Sequence, residues 1–357
     1  MMKELKLMKG NEALAEAAIR AGCDAYFGYP ITPQSEVLEY LAKEAHARTG
    51  MVVLQAESEI ASINMIYGAA GTGKKVMTSS SSPGISLMQE GLSYIACAEL
   101  PCLIVNVVRA GPGLGTIQPS QSDYFQAVKG GGHGDYRLIV LAPSTIQEMV
   151  DHTKLGFELA FKWRNPVMIL TDGALGQMME KVELFPHIER KFELLPWATT
   201  GKTKDRERSI ITSLHIQPEK MQETNLHLQR KYRSIEKEEI RFESRNCEEA
   251  DVILLAFGLV ARICKKAADL AAEKGIKVGV FRPITLFPFP YEEINRIADN
   301  ARIFLTVEMN AGQMLEDVKL AVNGKLPVEF IGRMGGIIPT PEEILNRIVE
   351  INEGVTV

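Results

Sequence analysis

From residue 11 to about 175, stretches with apolar residues at helical spacing alternate with short, almost wholly apolar runs. That is the pattern of a parallel sheet covered on both faces by helices. The apolar runs predict strands at 24–28, 51–55, 75–79, 102–108, 138–142 and 167–171, and the periodic stretches predict helices near 34–47, 57–70, 84–98 and 144–163. A further helix, capped by Asn11, runs to Gly22, and Ser144-Thr145-Ile146-Gln147 has the spacing of a capping box. Over 186–246 the pattern gives way to charged, non-periodic sequence, including Lys202–Arg208 and Arg230–Arg233, which reads as a solvated connection with one or two helices or as a docking arm for a partner. Alternation resumes at Asp251, with strands at 252–257, 278–281, 302–307 and 328–331 and helices at 259–274, 291–299, 313–323 and 341–350. The chain therefore divides into an α/β domain over 1–185, a connecting segment over 186–246 and a second, smaller α/β domain over 247–357.

Composition adds mainly exclusions. At 357 residues the chain exceeds the size at which one core usually stops growing. A net charge of -5 provides no broad basic field for nucleic acid or anionic lipid, so any acidic substrate must be held by local groups. Met1-Met2-Lys3-Glu4-Leu5-Lys6 lacks the apolar core of a signal peptide, and no apolar run approaches the roughly 20 residues of a membrane span. A cytoplasmic location is expected. Cys23, Cys97, Cys102, Cys247 and Cys264 form no Cys-x-x-Cys pair, which argues against a disulfide framework, a zinc site or an intrinsic cluster.

Four segments raise the question of chemistry. Gly68-Ala69-Ala70-Gly71-Thr72-Gly73-Lys74-Lys75 nearly spells a phosphate-binding loop, but Lys75 stands where that motif needs a hydroxyl. Its glycines also leave a helix and enter a strand, the reverse of the order that aims amides at phosphate. Arg109-Ala110-Gly111-Pro112-Gly113-Leu114-Gly115-Thr116 follows an apolar strand and so lies at the carboxyl end of a parallel sheet, where such sheets bind ligands. Arg109 there is either a planar fork for a carboxylate or phosphate, or an ordinary surface arginine. In Gly28-Tyr29-Pro30-Ile31-Thr32-Pro33, two prolines fix the backbone around one hydroxyl, a turn that either positions a ligand or is only a turn. Finally, Gln55-Ala56-Glu57-Ser58-Glu59-Ile60 opens a helix with two carboxylates that face different ways. Glu59 shares the apolar stripe of Ile63, Ile66 and Ala70 and is expected to be partly buried, where a carboxyl either has a partner or stays protonated. Glu57 falls beside Ala61 and Asn64, and a favourable charge at a helix start accounts for it. The six histidines show no metal-ligand spacing, and His133 in Gly130–Gly134 reads as a surface loop residue. Ser79–Ser82 is not a nucleophile elbow.

Taken in order, Tyr29-Pro30-Ile31-Thr32-Pro33, Gln55-x-Glu57-x-Glu59-Ile60-Ala61-Ser62, Ser82-Pro83-Gly84-Ile85-Ser86-Leu87-Met88-Gln89-Glu90 and Arg109-x-Gly111-Pro112-x-x-Gly115 resemble the alpha subunits of 2-oxoacid:ferredoxin oxidoreductases. The resemblance covers nearly the whole chain and is greatest to the branched-chain subgroup that acts on 3-methyl-2-oxobutanoate (2-ketoisovalerate). It implies an α/β protein of two parallel-sheet domains, a thiamine diphosphate pyrimidine-binding domain followed by a transketolase C-terminal-like domain. It also implies that Glu59 is catalytic, hydrogen-bonding the aminopyrimidine ring so that the cofactor's thiazolium carbon is readied for a 2-oxoacid. Tyr29, Pro30 and Glu57 would lie on the cofactor side, and Thr32 and Arg109 near the substrate carboxylate.

The chain has no Gly-Asp-Gly...Asn segment for a Mg2+-diphosphate and no cysteine set for a cluster. The resemblance assigns these to partners: a beta subunit for the diphosphate, and gamma and ferredoxin-like delta subunits with the iron-sulfur clusters. The implied reaction is oxidative decarboxylation of a 2-oxoacid with coenzyme A to acyl-CoA and CO2, with electrons passing to ferredoxin. The alternatives are 2-oxoglutarate or pyruvate as substrate, a nucleotide-binding α/β module, and a non-catalytic scaffold.

Overall fold

A computed structural model describes residues 4–189 and 194–354. The first half runs β1 (Glu4–Lys9), α1 (Gly10–Arg20), β2 (Ala25–Gly28), α2 (Ser35–Thr49), β3 (Val52–Gln55), α3 (Glu59–Gly71), β4 (Val76–Ser80), α4 (Ser82–Cys97), β5 (Cys102–Val108) and α5 (Tyr124–Val128). It continues with β6 (Ile139–Leu141), α6 (Ile146–Trp163), β7 (Pro166–Asp172), α7 (Gly173–Gln177) and β8 (Met179–Leu184). The remainder is α8 (Pro218–Glu238), β9 (Phe242–Arg245), β10 (Val252–Leu255), α9 (Gly258–Glu273), β11 (Val278–Pro283), β12 (Thr285–Phe287), α10 (Tyr291–Ile297), β13 (Ile303–Glu308), α11 (Gln313–Val322), β14 (Val328–Gly332) and α12 (Pro341–Asn352).

Two parallel-rich sheets carry the α/β fold, as the alternating pattern predicts. One has the order β12-β6-β7-β5-β4-β2-β3 and the other β14-β13-β10-β11-β9. Strands β5 and β7 pair along seven residues each and are buried throughout, which is why they read as unbroken apolar runs.

The departures from the pattern come from strands with other neighbours. β1 and β8 pair antiparallel as a separate ribbon, and Leu5 and Leu7 point outward among charged residues, so neither strand reads as apolar. β12 leaves the second half and pairs antiparallel with β6, with Thr285 opposite Leu141 and Phe287 opposite Val140, so the first sheet is finished by the second half of the chain. The charged stretch over 186–246 supplies helix α8 and the antiparallel edge strand β9. Helix α8 buries Leu228, Tyr232 and Ile235, and its Lys231 ammonium reaches Glu99 at 3.1 Å.

Two capping expectations are corrected. Asn11 lies inside α1 rather than before it, because its buried amide is used elsewhere, donating to Pro33 O (2.8 Å) and Glu36 Oε2 (2.9 Å). At α6 the cap is Thr145, whose hydroxyl accepts from Glu148 N, while the Glu148 carboxylate turns back to Ser144 N and Oγ. The glycines of Gly68–Lys75 do lie at the end of α3, ahead of β4.

An ion pair between a buried arginine and a half-buried glutamate crosses between the halves. Arg282 of β11 forks onto Glu148 of α6 at 2.7 and 2.6 Å and also bonds Ser144 Oγ and Glu243. Burial alone would raise the Glu148 carboxyl, but the Arg282 hydrogen bonds outweigh it and hold it at about 2. One turn along, burial drives the His152 imidazole down to about 4.

The sign follows from proton binding: between its ordinary value of 6.5 and about 4, His152 takes up a proton in the unfolded chain and not in the folded one. His152 by itself is therefore expected to lower stability by about 2 kcal/mol between pH 7 and pH 5, while the buried carboxyls of Asp172, raised to about 6, and Glu308, raised to about 7, act in the opposite sense over the same range. Urea midpoints at the two pH values check this. From pH 7 to pH 5 the stability of His152→Gln is expected to change by about 2 kcal/mol in the favourable direction relative to the unaltered chain, and an equal change in both proteins would remove His152 from the pH dependence.

Candidate active site

The parallel strands β2, β3, β4 and β5 all end at one edge of the large sheet, and the loops that follow them carry the residues singled out by sequence. Ser58 caps α3, its hydroxyl accepting from Ala61 N at 3.2 Å, so Glu59 becomes the first residue of the helix. Its side chain turns inward and is 5% exposed. It lies across Gly84 of α4, where an added Cβ would stand 2.5 Å from Glu59 Oε1 and 2.0 Å from Ser80 Oγ. Position 84 is glycine because the carboxylate and the serine occupy the space of a side chain.

Among the described residues the Glu59 carboxylate accepts no hydrogen bond. Nor do the buried hydroxyls of Ser80 and Ser81 have a partner. A carboxylate and two hydroxyls without partners are therefore gathered at the end of β4, an arrangement that costs stability unless something else satisfies them. The position at a helix N-terminus favours the negative end of the group.

Arg109, at the end of β5, joins two loops. Its Nη1 donates to Thr32 O at 3.1 Å and its Nη2 to Leu114 O at 3.2 Å, while Nε is buried without a partner. Ser82 Oγ donates to Arg109 O and accepts from Arg109 N. Behind it, Asn106 Oδ1 accepts from Ser82 N, and Asn106 Nδ2 donates to Asp123 Oδ2 at 2.9 Å. Burial raises the Asp123 carboxyl, with the Asn106 bond opposing it. The turn from β4 to α4, residues 80–84, thus touches Glu59 on one side and Arg109 on the other.

The structure brings Thr32 and Arg109 together, through the backbone carbonyl of Thr32. Tyr29 and Pro30 stand exposed on the same turn, which is held from below by Gln34 Nε2 on Tyr29 O and by Ser79 Oγ on Gln34 Oε1. Glu57 is exposed on the turn before α3, without a hydrogen bond among the described residues. Exposed apolar residues flank the orphaned carboxylate: Ile60 beside it and Leu87 on α4, each about half exposed.

Sequence reasoning missed Gly84, Ser80 and Asn106 as site residues. Asn106 had a readable signal, a polar amide within the apolar strand Cys102–Val108. Gln121 was missed as well. It fastens the loop after Arg109 to the second half, bonding Met309 O and N, Phe257 O and the Asn310 amide. His133 is exposed, as read from its loop, with its ring edge-on to Tyr94.

The chain is similar to known proteins along nearly its whole length. The family model described as pyruvate flavodoxin/ferredoxin oxidoreductase, thiamine diP-binding, matches residues 16–245, and that of pyruvate:ferredoxin oxidoreductase core domain II matches residues 250–344. The chain is 51% identical to the ketoisovalerate oxidoreductase subunit VorB of Methanothermobacter marburgensis, over 97% of each chain. It is 37% identical to the 2-oxoglutarate synthase subunit KorA of Archaeoglobus fulgidus, over 98% and 99%. Among solved structures it superposes on the 2-oxoglutarate:ferredoxin oxidoreductase from Magnetococcus marinus, with 2-oxoglutarate, coenzyme A and succinyl-CoA bound. That match has a TM-score of 0.84 at 30% identity and covers 99% of this chain but 66% of the other. A split-gene transketolase shares the fold at 13% identity and a TM-score of 0.59.

The Arg109 contacts have a consequence for the loop they hold. Each guanidinium bond to a carbonyl is worth about 1.5–3 kcal/mol, so Arg109→Met is expected to free the 110–118 loop. Exchange at the amides of Ala110 and Thr116, which close that loop on Gln118 O and Ala110 O, is then expected to accelerate about tenfold or more. Hydrogen exchange with mass spectrometry reads this directly, and unchanged protection of the loop would mean that Arg109 does not hold it.

Proposed function

The chain belongs to the 2-oxoacid:ferredoxin oxidoreductases, and we propose that, within a multi-subunit enzyme using thiamine diphosphate and coenzyme A, it provides the ring-binding half of the thiamine diphosphate site while a diphosphate-binding beta subunit provides the Mg2+ half. The substrate of this reading is 3-methyl-2-oxobutanoate, supported by the ketoisovalerate relatives of about half identity. Electrons leave through iron-sulfur clusters on gamma and ferredoxin-like delta subunits to ferredoxin.

The observation that carries the reading is the Glu59 carboxylate, buried, unpartnered and given room by Gly84. An aminopyrimidine ring offers the donor such a group needs, and the free hydroxyls of Ser80 and Ser81 add two further polar contacts at the same place. The residues present therefore fit the ring. Thiamine diphosphate, when bound, supplies the carbon nucleophile for the 2-oxoacid carbonyl.

The rest of the chemistry assigned to this chain is positioning. Glu59 holds the ring by a hydrogen bond in a water-poor setting, where one such bond has more effect than in water. Arg109 spends one hydrogen of each terminal nitrogen on Thr32 O and Leu114 O, which fixes the plane of the guanidinium. Its remaining N–H groups are left for the substrate carboxylate, in the planar geometry that a carboxylate matches. Thr32 contributes its exposed hydroxyl beside that plane. Ile60 and Leu87, exposed on either side of the Glu59 seat, form the apolar surface that the beta subunit covers.

In the assembled complex, Glu59→Gln is expected to lower 2-oxoacid turnover by about 100-fold or more, the scale of a lost proton-handling group. Gly84→Ala is expected to do comparable damage by pushing the carboxylate off its seat. Glu57→Gln is expected to stay within about threefold of the unaltered enzyme, since an exposed charge contributes little. Viologen reduction with 3-methyl-2-oxobutanoate and coenzyme A measures all three. Equal losses from the two glutamate changes would remove Glu59 from its role.

A further inference from the structure

Strand β5 is buried throughout, and every one of its residues is apolar except Asn106. A buried amide is destabilising relative to an apolar side chain unless both of its ends are used, and here both are. Its Oδ1 accepts from Ser82 N at 3.2 Å, and its Nδ2 donates to Asp123 Oδ2 at 2.9 Å. An amide can serve both partners because it carries an acceptor and a donor side by side without a charge. The strand register sets Asn106 beside Ser80 of β4.

Each partner leads to a different part of the molecule. Ser82 is the middle of the 80–84 turn, whose Ser80 and Gly84 meet at the seat of Glu59, and its hydroxyl bonds both the N and the O of Arg109. Asp123 stands directly before α5, a place where an aspartate ordinarily caps the helix. Its side chain makes no such cap and is given to Asn106 instead. Helix α5 is itself clamped to the second half of the chain: Phe125 N donates to Gln313 Oε1 at 2.8 Å, and the Tyr124 hydroxyl to Asp317 Oδ2 at 2.7 Å.

Asn106 is thus the link between a helix fixed by the second half and the turn that touches both Glu59 and Arg109. We propose that it is a positioning residue for the reaction, fixing the 80–84 turn against α5 so that the Glu59 seat and the Arg109 guanidinium keep one spacing. The proposal rests on the activity assigned above, and it adds a group that touches neither cofactor nor substrate. It accounts for an amide at a position where an apolar side chain would serve packing alone.

Two variants in the assembled complex test it. Asn106→Leu has a similar size and removes both bonds. Asn106→Asp keeps an acceptor for Ser82 N but sets a second carboxyl against Asp123, and two carboxyls so close favour holding one proton between them. With that proton the introduced group donates to Asp123 as the amide does; without it the two repel and the turn is released.

Asn106→Leu is expected to lower kcat/KM for 3-methyl-2-oxobutanoate about tenfold or more at every pH, the scale of a small misplacement of reacting groups. Asn106→Asp is expected to approach the unaltered complex at pH 6 and to fall about tenfold below it by pH 8.5. Hydrogen exchange on the same complexes without substrate gives a second readout. Peptides from 80–86 and 109–116 are expected to exchange about tenfold faster in Asn106→Leu, while those from β10 and β11 keep their protection. Loss of protection along the whole chain would make Asn106 a stability residue and overturn the proposal. So would a leucine variant with unaltered kinetics, or an aspartate variant whose kcat/KM keeps a constant ratio to that of the unaltered complex from pH 6 to pH 8.5. An unaltered complex that oxidises no 2-oxoacid would overturn the activity assignment itself, and the proposal with it.

Discussion

The seat of Glu59 is the constraint on which the active-site edge depends. Leaving a carboxylate buried and unpartnered is destabilising, and the fold holds it there by several local means. Ser58, in the turn after β3, caps the helix, so that the next side chain turns inward. Gly84 leaves the space, and the strand β4 delivers Ser80 and Ser81 to the same point with their hydroxyls unsatisfied. Natural proteins retain such a cluster where a bound molecule completes it.

Around that seat, the two halves of the chain are interlocked rather than strung together. β12 finishes the first sheet, Arg282 pins β11 to α6, and Gln121 ties the loop after Arg109 to Phe257, Met309 and Asn310. The loop that Arg109 holds gains rigidity from contacts on both sides, since flexible loops are poor at fixing side chains in place. The same interlocking leaves a cavity of about 670 Å3 at the junction.

Much of this was legible in the sequence because parallel strands are buried on both faces and announce themselves as apolar runs; β5 and β7 are of that kind. Glu59 was legible by its place on the stripe of Ile63 and Ile66, and Arg109 and Thr32 by lying at strand ends. What escaped was decided by contacts between distant residues. β12 is three residues long, too short to show a period, and belongs to a sheet built more than a hundred residues earlier. Asn11 has the composition of a cap and the role of a tether, which only the position of Pro33 and Glu36 reveals. Gly84 could be read as a helix-start glycine until Glu59 and Ser80 are seen to fill its side-chain space.

The central claim is that this chain holds the ring half of a shared cofactor site, and cofactor binding by the separated and joined subunits tests it most directly. Titration calorimetry with thiamine diphosphate and Mg2+ is the measurement, on this chain alone, on the beta subunit alone and on the two together. The account predicts at most weak binding to this chain alone, tight binding to the pair, and a loss of that gain when Glu59 is replaced by glutamine in the pair. Tight, Mg2+-dependent binding to this chain by itself, or a pair that binds no better than the beta subunit alone, would contradict it.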